Sequence, residues 1–69
     1  MSARELIAED VVGRHIVRTW RRGDDYGTTT YCGTTAIAGC PYDSLAAARL
    51  GHQARVNECR QWAEGGTNR

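Results

Sequence analysis

Ten Leu, Ile and Val side chains and no Phe are all that 69 residues offer towards a hydrophobic core. That share lies below the one-fifth level associated with disorder, but disorder of that kind goes with high net charge. Here nine Arg, with no Lys, nearly balance eight Asp and Glu, leaving a net charge of +1. Two Trp, three Tyr and nine Ala add surface that can be buried. The sequence therefore reads as one small, marginally stable domain spanning 1–69, a size that often leans on a disulfide, a metal or a partner subunit.

No apolar run approaches the roughly 20 residues needed to span a bilayer. The opening Met1-Ser2-Ala3-Arg4-Glu5 is polar and lacks the apolar stretch of a signal peptide. The expectation is a cytoplasmic protein with no membrane partner, in a reducing compartment where disulfides are rare. The odd cysteine count (Cys32, Cys40 and Cys59) also argues against a fully paired disulfide framework.

The pattern along the chain predicts an α+β domain. Ser2 and Glu5 fit a capping box. Leu6, Ile7 and Val11 follow at helical spacing and Gly13 is placed to stop them, which predicts a short N-terminal helix; Val11-Val12 would equally begin a strand. Arg14 to Arg22 is rich in β-branched and aromatic residues and reads as a strand, closed by a turn cluster from Gly23 to Gly27. Thr28 to Ala38 is again β-rich, as one long strand or as two broken near Gly33. Pro41 to Ser44 supplies a stop and an N-cap for a long helix from Leu45 to Ala63. Its apolar face carries Leu45, Ala48, His52, Val56, Cys59, Trp62 and Ala63. Gly51, costing about 1 kcal/mol relative to Ala, marks a place for a kink or break. The expected architecture is a short helix, a two- or three-stranded antiparallel sheet, and a long C-terminal helix packed on one face of it.

Cys32, Cys40, His52 and Cys59 suggest a structural zinc site. Against this, His52 and Cys59 lie seven residues apart, about 10 Å along a helix, whereas zinc ligands on a helix sit three or four apart. Running the helix back along the preceding strand brings Cys59 towards Cys32, where the pair would be buried thiols or a disulfide. His52, on the apolar helix face, reads as a hydrogen-bonded core residue. No histidine has the sequence company of a catalytic triad, and GxxxxGK[ST], HExxH, CxxC and GxGxxG are missing, so no catalytic residue and no cofactor are expected.

One stretch has a functional character. Arg14, Arg18, Arg21 and Arg22 fall within nine residues that contain no acid, with His15 and Trp20 interleaved. Arginine binds phosphate bidentately and tryptophan stacks on an exposed base. Such a strand suits nucleic acid as a partner, or, with its arginines neutralised by Glu5, Glu9, Asp24 or Asp25, a solvated sheet edge. A second apolar patch at Ala46, Ala47, Leu50 and Ala54, opposite the helix's core face, suits a host protein or a homodimer instead.

Tyr31 to Val56 (YCGTTAIAGCPYDSLAAARLGHQARV) resembles short actinobacterial and actinophage proteins in which a Cys-Gly strand precedes a Ser-capped, Ala-rich helix ending in His. The resemblance covers about a third of the chain and implies a small accessory protein. The paired CxxC of the zinc-binding examples is missing here. The α-β-β-β-α order also resembles double-stranded-RNA-binding domains. The basic residues those domains carry at the start of the second helix are replaced by Ser44-Leu45-Ala46-Ala47-Ala48, so their function does not carry over.

Overall fold

Gly13, Gly23 and Gly33 stand ten residues apart, and each has a positive φ, of 61°, 63° and 67°. Each opens a two-residue loop between eight-residue strands: β1 (Glu5–Val12), β2 (His15–Arg22), β3 (Asp25–Cys32) and β4 (Thr35–Tyr42). Among the described residues none other than glycine has a positive φ, so the second residue of each loop is conventional. A two-residue hairpin loop with the left-handed conformation only at its first position is a type II′ turn, whose twist matches that of the flanking strands. Three such turns produce a purely nearest-neighbour antiparallel sheet, in the order β1-β2-β3-β4. The computed structural model describes residues 4–64.

The sheet corrects two expectations. The segment read as an N-terminal helix is β1, paired along its length with β2 from Glu5↔Arg21 to Val12↔His15. Of the proposed capping box, Ser2 lies outside the described residues and Glu5 begins a strand. The sheet also has four strands rather than two or three, because β1 joins it. Of the two alternatives for Thr28 to Ala38, the break near Gly33 is the one found, with the chain reversing at Gly33-Thr34, and Asp25 to Gly27 belong to β3 rather than to a turn. Both edge strands carry one unpaired extra residue: Ile7 between Leu6 and Ala8, and Ile37 between Ala36 and Ala38. Such bulges bend an edge and disfavour pairing with another chain.

The C-terminal helix, α1 (Leu45–Glu64), forms as its sequence predicts. Ser44 caps it, its Oγ accepting from the Ala47 N–H at 3.1 Å. The helix lies across one sheet face and touches all four strands. It starts beside the end of β4, and its last turn reaches the β1–β2 loop, where the Trp62 and His15 rings pack with centroids 5.1 Å apart. Gly51 does not interrupt it. Its missing side chain is what admits the Tyr42 ring, since a Cβ at Gly51 would overlap the Tyr42 hydroxyl and ring.

Beneath the helix the core is half polar. Val17, Ala48, Val56 and Cys59 are buried together with Thr19, Thr28, Thr30 and His52. Full burial of a valine contributes on the order of 1.5–3 kcal/mol. The threonines offer only one methyl each and must place a hydroxyl. Thr19 and Thr28 do so in a chain that crosses from sheet to helix: Thr28 Oγ1 to Thr19 Oγ1 at 2.9 Å, Thr19 Oγ1 to His52 Nδ1 at 2.6 Å, and His52 Nε2 to Asp10 Oδ2 at 2.7 Å. Because an ionised carboxylate only accepts, Nε2 is the donor to Asp10; in the neutral ring Nδ1 then accepts from Thr19, which accepts in turn from Thr28. This polar chain, buried as far as His52 and ending at the exposed Asp10, ties four elements (β1, β2, β3 and α1) together at one place. Among the described residues, no helix is long and apolar enough to cross a membrane.

Candidate nucleic-acid interface

Directly paired residues on neighbouring strands share a face, and alternate residues along a strand change face. Val17 and Thr19 lie under the helix, so Ile16, Arg18, Trp20 and Arg22 lie on the opposite face of the sheet, which no element among the described residues covers. Their partners across β3 are Tyr31, Thr29, Gly27 and Asp25. Leu6, Glu9 and Val11 of β1 extend the same face.

Each central strand therefore presents one aromatic ring to the open side, Trp20 from β2 and Tyr31 from β3. The two are offset by four residues of strand, about 13 Å. Each ring has a guanidinium above it. Arg4 lies 4.4 Å from the Trp20 ring centroid, and Arg18 lies 5.2 Å from that of Tyr31. Arg18 also bonds Glu9 at 2.6 Å, a hydrogen bond that raises its already high pKa. Arg4 and Arg22 make no ion pair among the described residues. The Trp20 indole nitrogen is shut off from solvent with no hydrogen-bond partner among the described residues. Beside Trp20 the face sinks into a trough of about 580 Å³ running over β3 and β4.

The predicted basic strand is thus only partly brought together. Arg18, Trp20 and Arg22 share the open face. Arg14 lies in the β1–β2 loop, and its carbonyl accepts from the Gly33 N–H at 2.9 Å, linking the two loops at that end of the sheet. Arg21 projects from the opposite face and donates to the Gly23 carbonyl at 3.4 Å. Arg4 and Tyr31 were missed as site residues. Tyr31 is recoverable from sequence once the turn is placed at Gly23-Asp24, since the register then sets it opposite Ile16. Arg4 carried no signal beyond its charge.

The predicted metal ligands do not converge. Among the described residues, no three His, Cys, Asp or Glu side chains form a group that would hold a metal ion. Both ring nitrogens of His52 are engaged by Thr19 and Asp10. Cys40 stands opposite Thr28, four residues along β3 from Cys32, about 13 Å away. Cys32, Cys40 and Cys59 are free thiols, so the Cys32–Cys59 disulfide does not form. Burial, with Glu58 adding to it, pushes the Cys59 thiol up and makes it inert. Of the second apolar patch, Ala46, Leu50 and Ala54 are exposed, Leu50 to 74%, and Ala47 is half-buried.

Compared with family models, with curated proteins and with solved structures, the chain matches none.

Proposed function

We propose that the chain is a non-enzymatic module that binds single-stranded nucleic acid across the open face of its sheet. The observation that carries this reading is the placement of one aromatic ring on each central strand, with an arginine over each. Unpaired bases stack on such rings and on guanidinium planes, while arginine neutralises the phosphates between them. Among the described residues no helix or long loop projects from this face to enter a duplex groove, which favours a single strand over a double helix. The charge supply is local and small, since Arg18 is shared with Glu9. Neutralising two or three phosphates gives a log–log salt slope of roughly −1.4 to −2.1.

The test is a fluorescence titration in a Trp62→Phe background, leaving Trp20 as the only indole. Single-stranded RNA or DNA of mixed sequence should quench Trp20 at low salt, duplex of the same sequence should not, and added salt should weaken binding with that slope. Binding by neither strand type at low salt would remove the proposal.

One observation favours a second reading. Val11 is 66% exposed, and Leu6 and Ile37 nearly half exposed, as Leu50 is on the outer side of the helix. A host protein or a second copy would cover such residues. A stable dimer in light scattering, persisting at high salt, would favour this reading over the first.

A further inference from the structure

Gly27 and Gly39 occupy the interiors of β3 and β4, where glycine weakens a strand for lack of a side chain and through extra backbone entropy. Neither has the positive φ that would require glycine. Nor is either forced by crowding: a Cβ on Gly27 would meet only the Cys40 carbonyl oxygen, at 3.7 Å, and one on Gly39 only the Thr28 carbonyl oxygen, at 4.0 Å, both ordinary contacts. The backbone would accept larger residues at both places. Gly27 stands opposite Trp20, and Gly39 opposite Thr29, so both missing side chains belong to the open face. What the two glycines achieve together is the bare floor of the trough beside the Trp20 ring.

The walls of that trough have a definite chemistry. Trp20 and Pro41 are apolar, Arg4 and Arg22 are cationic, and Asp25 is anionic. The volume of about 580 Å³ lies within the range of small-molecule sites. A flat apolar body with one anionic group matches it: the body lies on the peptide planes at Gly27 and Gly39 against the indole, and the anion turns to the arginines and away from Asp25.

We infer that the Gly27–Gly39 trough is a seat for a single nucleotide, its base on the glycine floor beside Trp20 and its phosphate on Arg4 and Arg22. This rests on the proposed nucleic-acid reading and deepens it, because it makes one place on the face, rather than the whole strand of arginines, the principal binding site. A nucleotide within a single strand and a free mononucleotide present the same chemistry to this seat.

The experiment separates the two ligand sources and the two claims. The chain carrying Trp62→Phe is titrated with a nucleoside monophosphate and with a single-stranded oligonucleotide, as it stands and with Gly27→Val or Gly39→Val added. Valine suits a strand, so both variants should melt no lower than the parent. The inference expects oligonucleotide affinity to fall at least tenfold in each, and the monophosphate to quench Trp20 in the parent and not in the variants. Oligonucleotide binding that is equal in parent and variants would overturn the seat and leave the nucleic-acid reading standing. Quenching by the monophosphate, abolished by valine, with no oligonucleotide binding would keep the seat as a mononucleotide site and overturn the nucleic-acid reading. No binding of either ligand to the parent would overturn both. The parent titration needs no glycine variant, so a variant that fails to fold does not protect the inference.

Discussion

The two faces of the sheet are made by the same four strands and solve opposite problems. The covered face holds few apolar side chains, yet its Thr28–Thr19–His52–Asp10 chain gives each member a partner. The open face holds two aromatic rings and several aliphatic side chains, yet it leaves the Trp20 N–H without a partner among the described residues and roofs its rings with arginines. The comparison teaches that polarity alone does not say which side of a small sheet is inside. The inside is marked by a chain of polar groups paired with one another, although the buried Thr30 hydroxyl beside it has no partner among the described residues, and the outside is marked by apolar groups that lack a cover.

The largest expected effect comes from breaking the paired chain. His52→Ala removes the ring that joins helix, β1 and β2, leaving a cavity and a buried Thr19 hydroxyl short of a partner. The combined cost is roughly 2–4 kcal/mol. The melting temperature should drop by more than about 10 °C in a domain of this size. A drop of only a few degrees would show that the polar chain is incidental to the covered face.

Next comes the place where helix and sheet touch most closely. Gly51→Ala should destabilise, because crowding the Tyr42 ring costs about 1–3 kcal/mol and outweighs the roughly 1 kcal/mol that alanine contributes to a helix. In a Tyr42→Ala background the same change should become stabilising by about 1 kcal/mol. Denaturant melts of the four proteins in this cycle measure the reversal of sign; the same sign in both backgrounds would refute the fit of ring to glycine.

A smaller effect concerns protonation on the covered face. Burial raises the Cys59 thiol above its ordinary value near 9.0, and burial followed by the neighbouring Cys40 raises the Tyr42 phenol. Both groups hold their protons more tightly folded than unfolded. Their contribution is fully present below the unfolded values and is lost as pH rises through the folded ones. Stability should therefore decline as pH climbs beyond about 9, and Cys59→Ala should flatten the early part of that decline. Thiol labelling at mildly alkaline pH should modify Cys59 last, only as the protein unfolds. The smallest effect on stability belongs to the open face. Arg18→Ala should leave the melting curve where it is and weaken nucleic-acid binding, measured by the same Trp20 titration.

The helix was legible because its signals are local: Ser44 as a cap, and Ala48, His52, Val56 and Cys59 at helical spacing, all buried as the spacing requires. The first strand was not legible, and the bulge at Ile7 explains why. A bulge slips the two-residue alternation by one, so Leu6 and Ile7 sit side by side and Val11 falls four residues beyond Ile7, which reads as helical spacing. Ile37 hides the alternation of β4 in the same way. The ten-residue spacing of Gly13, Gly23 and Gly33 was in plain view and outweighs both bulges, since each glycine fixes a hairpin and each hairpin fixes a register. Of the site, Trp20, Arg18 and Arg22 were legible from composition, whereas Tyr31 depends on register and the trough on two residues that have no side chain.

The nearest-neighbour order of the meander has a kinetic consequence. Every strand pairing closes a loop of only two residues, the least entropic cost that chain closure offers, and hairpins of this kind zip within about 1–10 μs. The bond from His52 to Asp10 instead joins residues 42 apart in sequence. Refolding after a rapid jump should therefore show the sheet's register set early and the helix docking last, so that the docking step governs how fast the native state is regained.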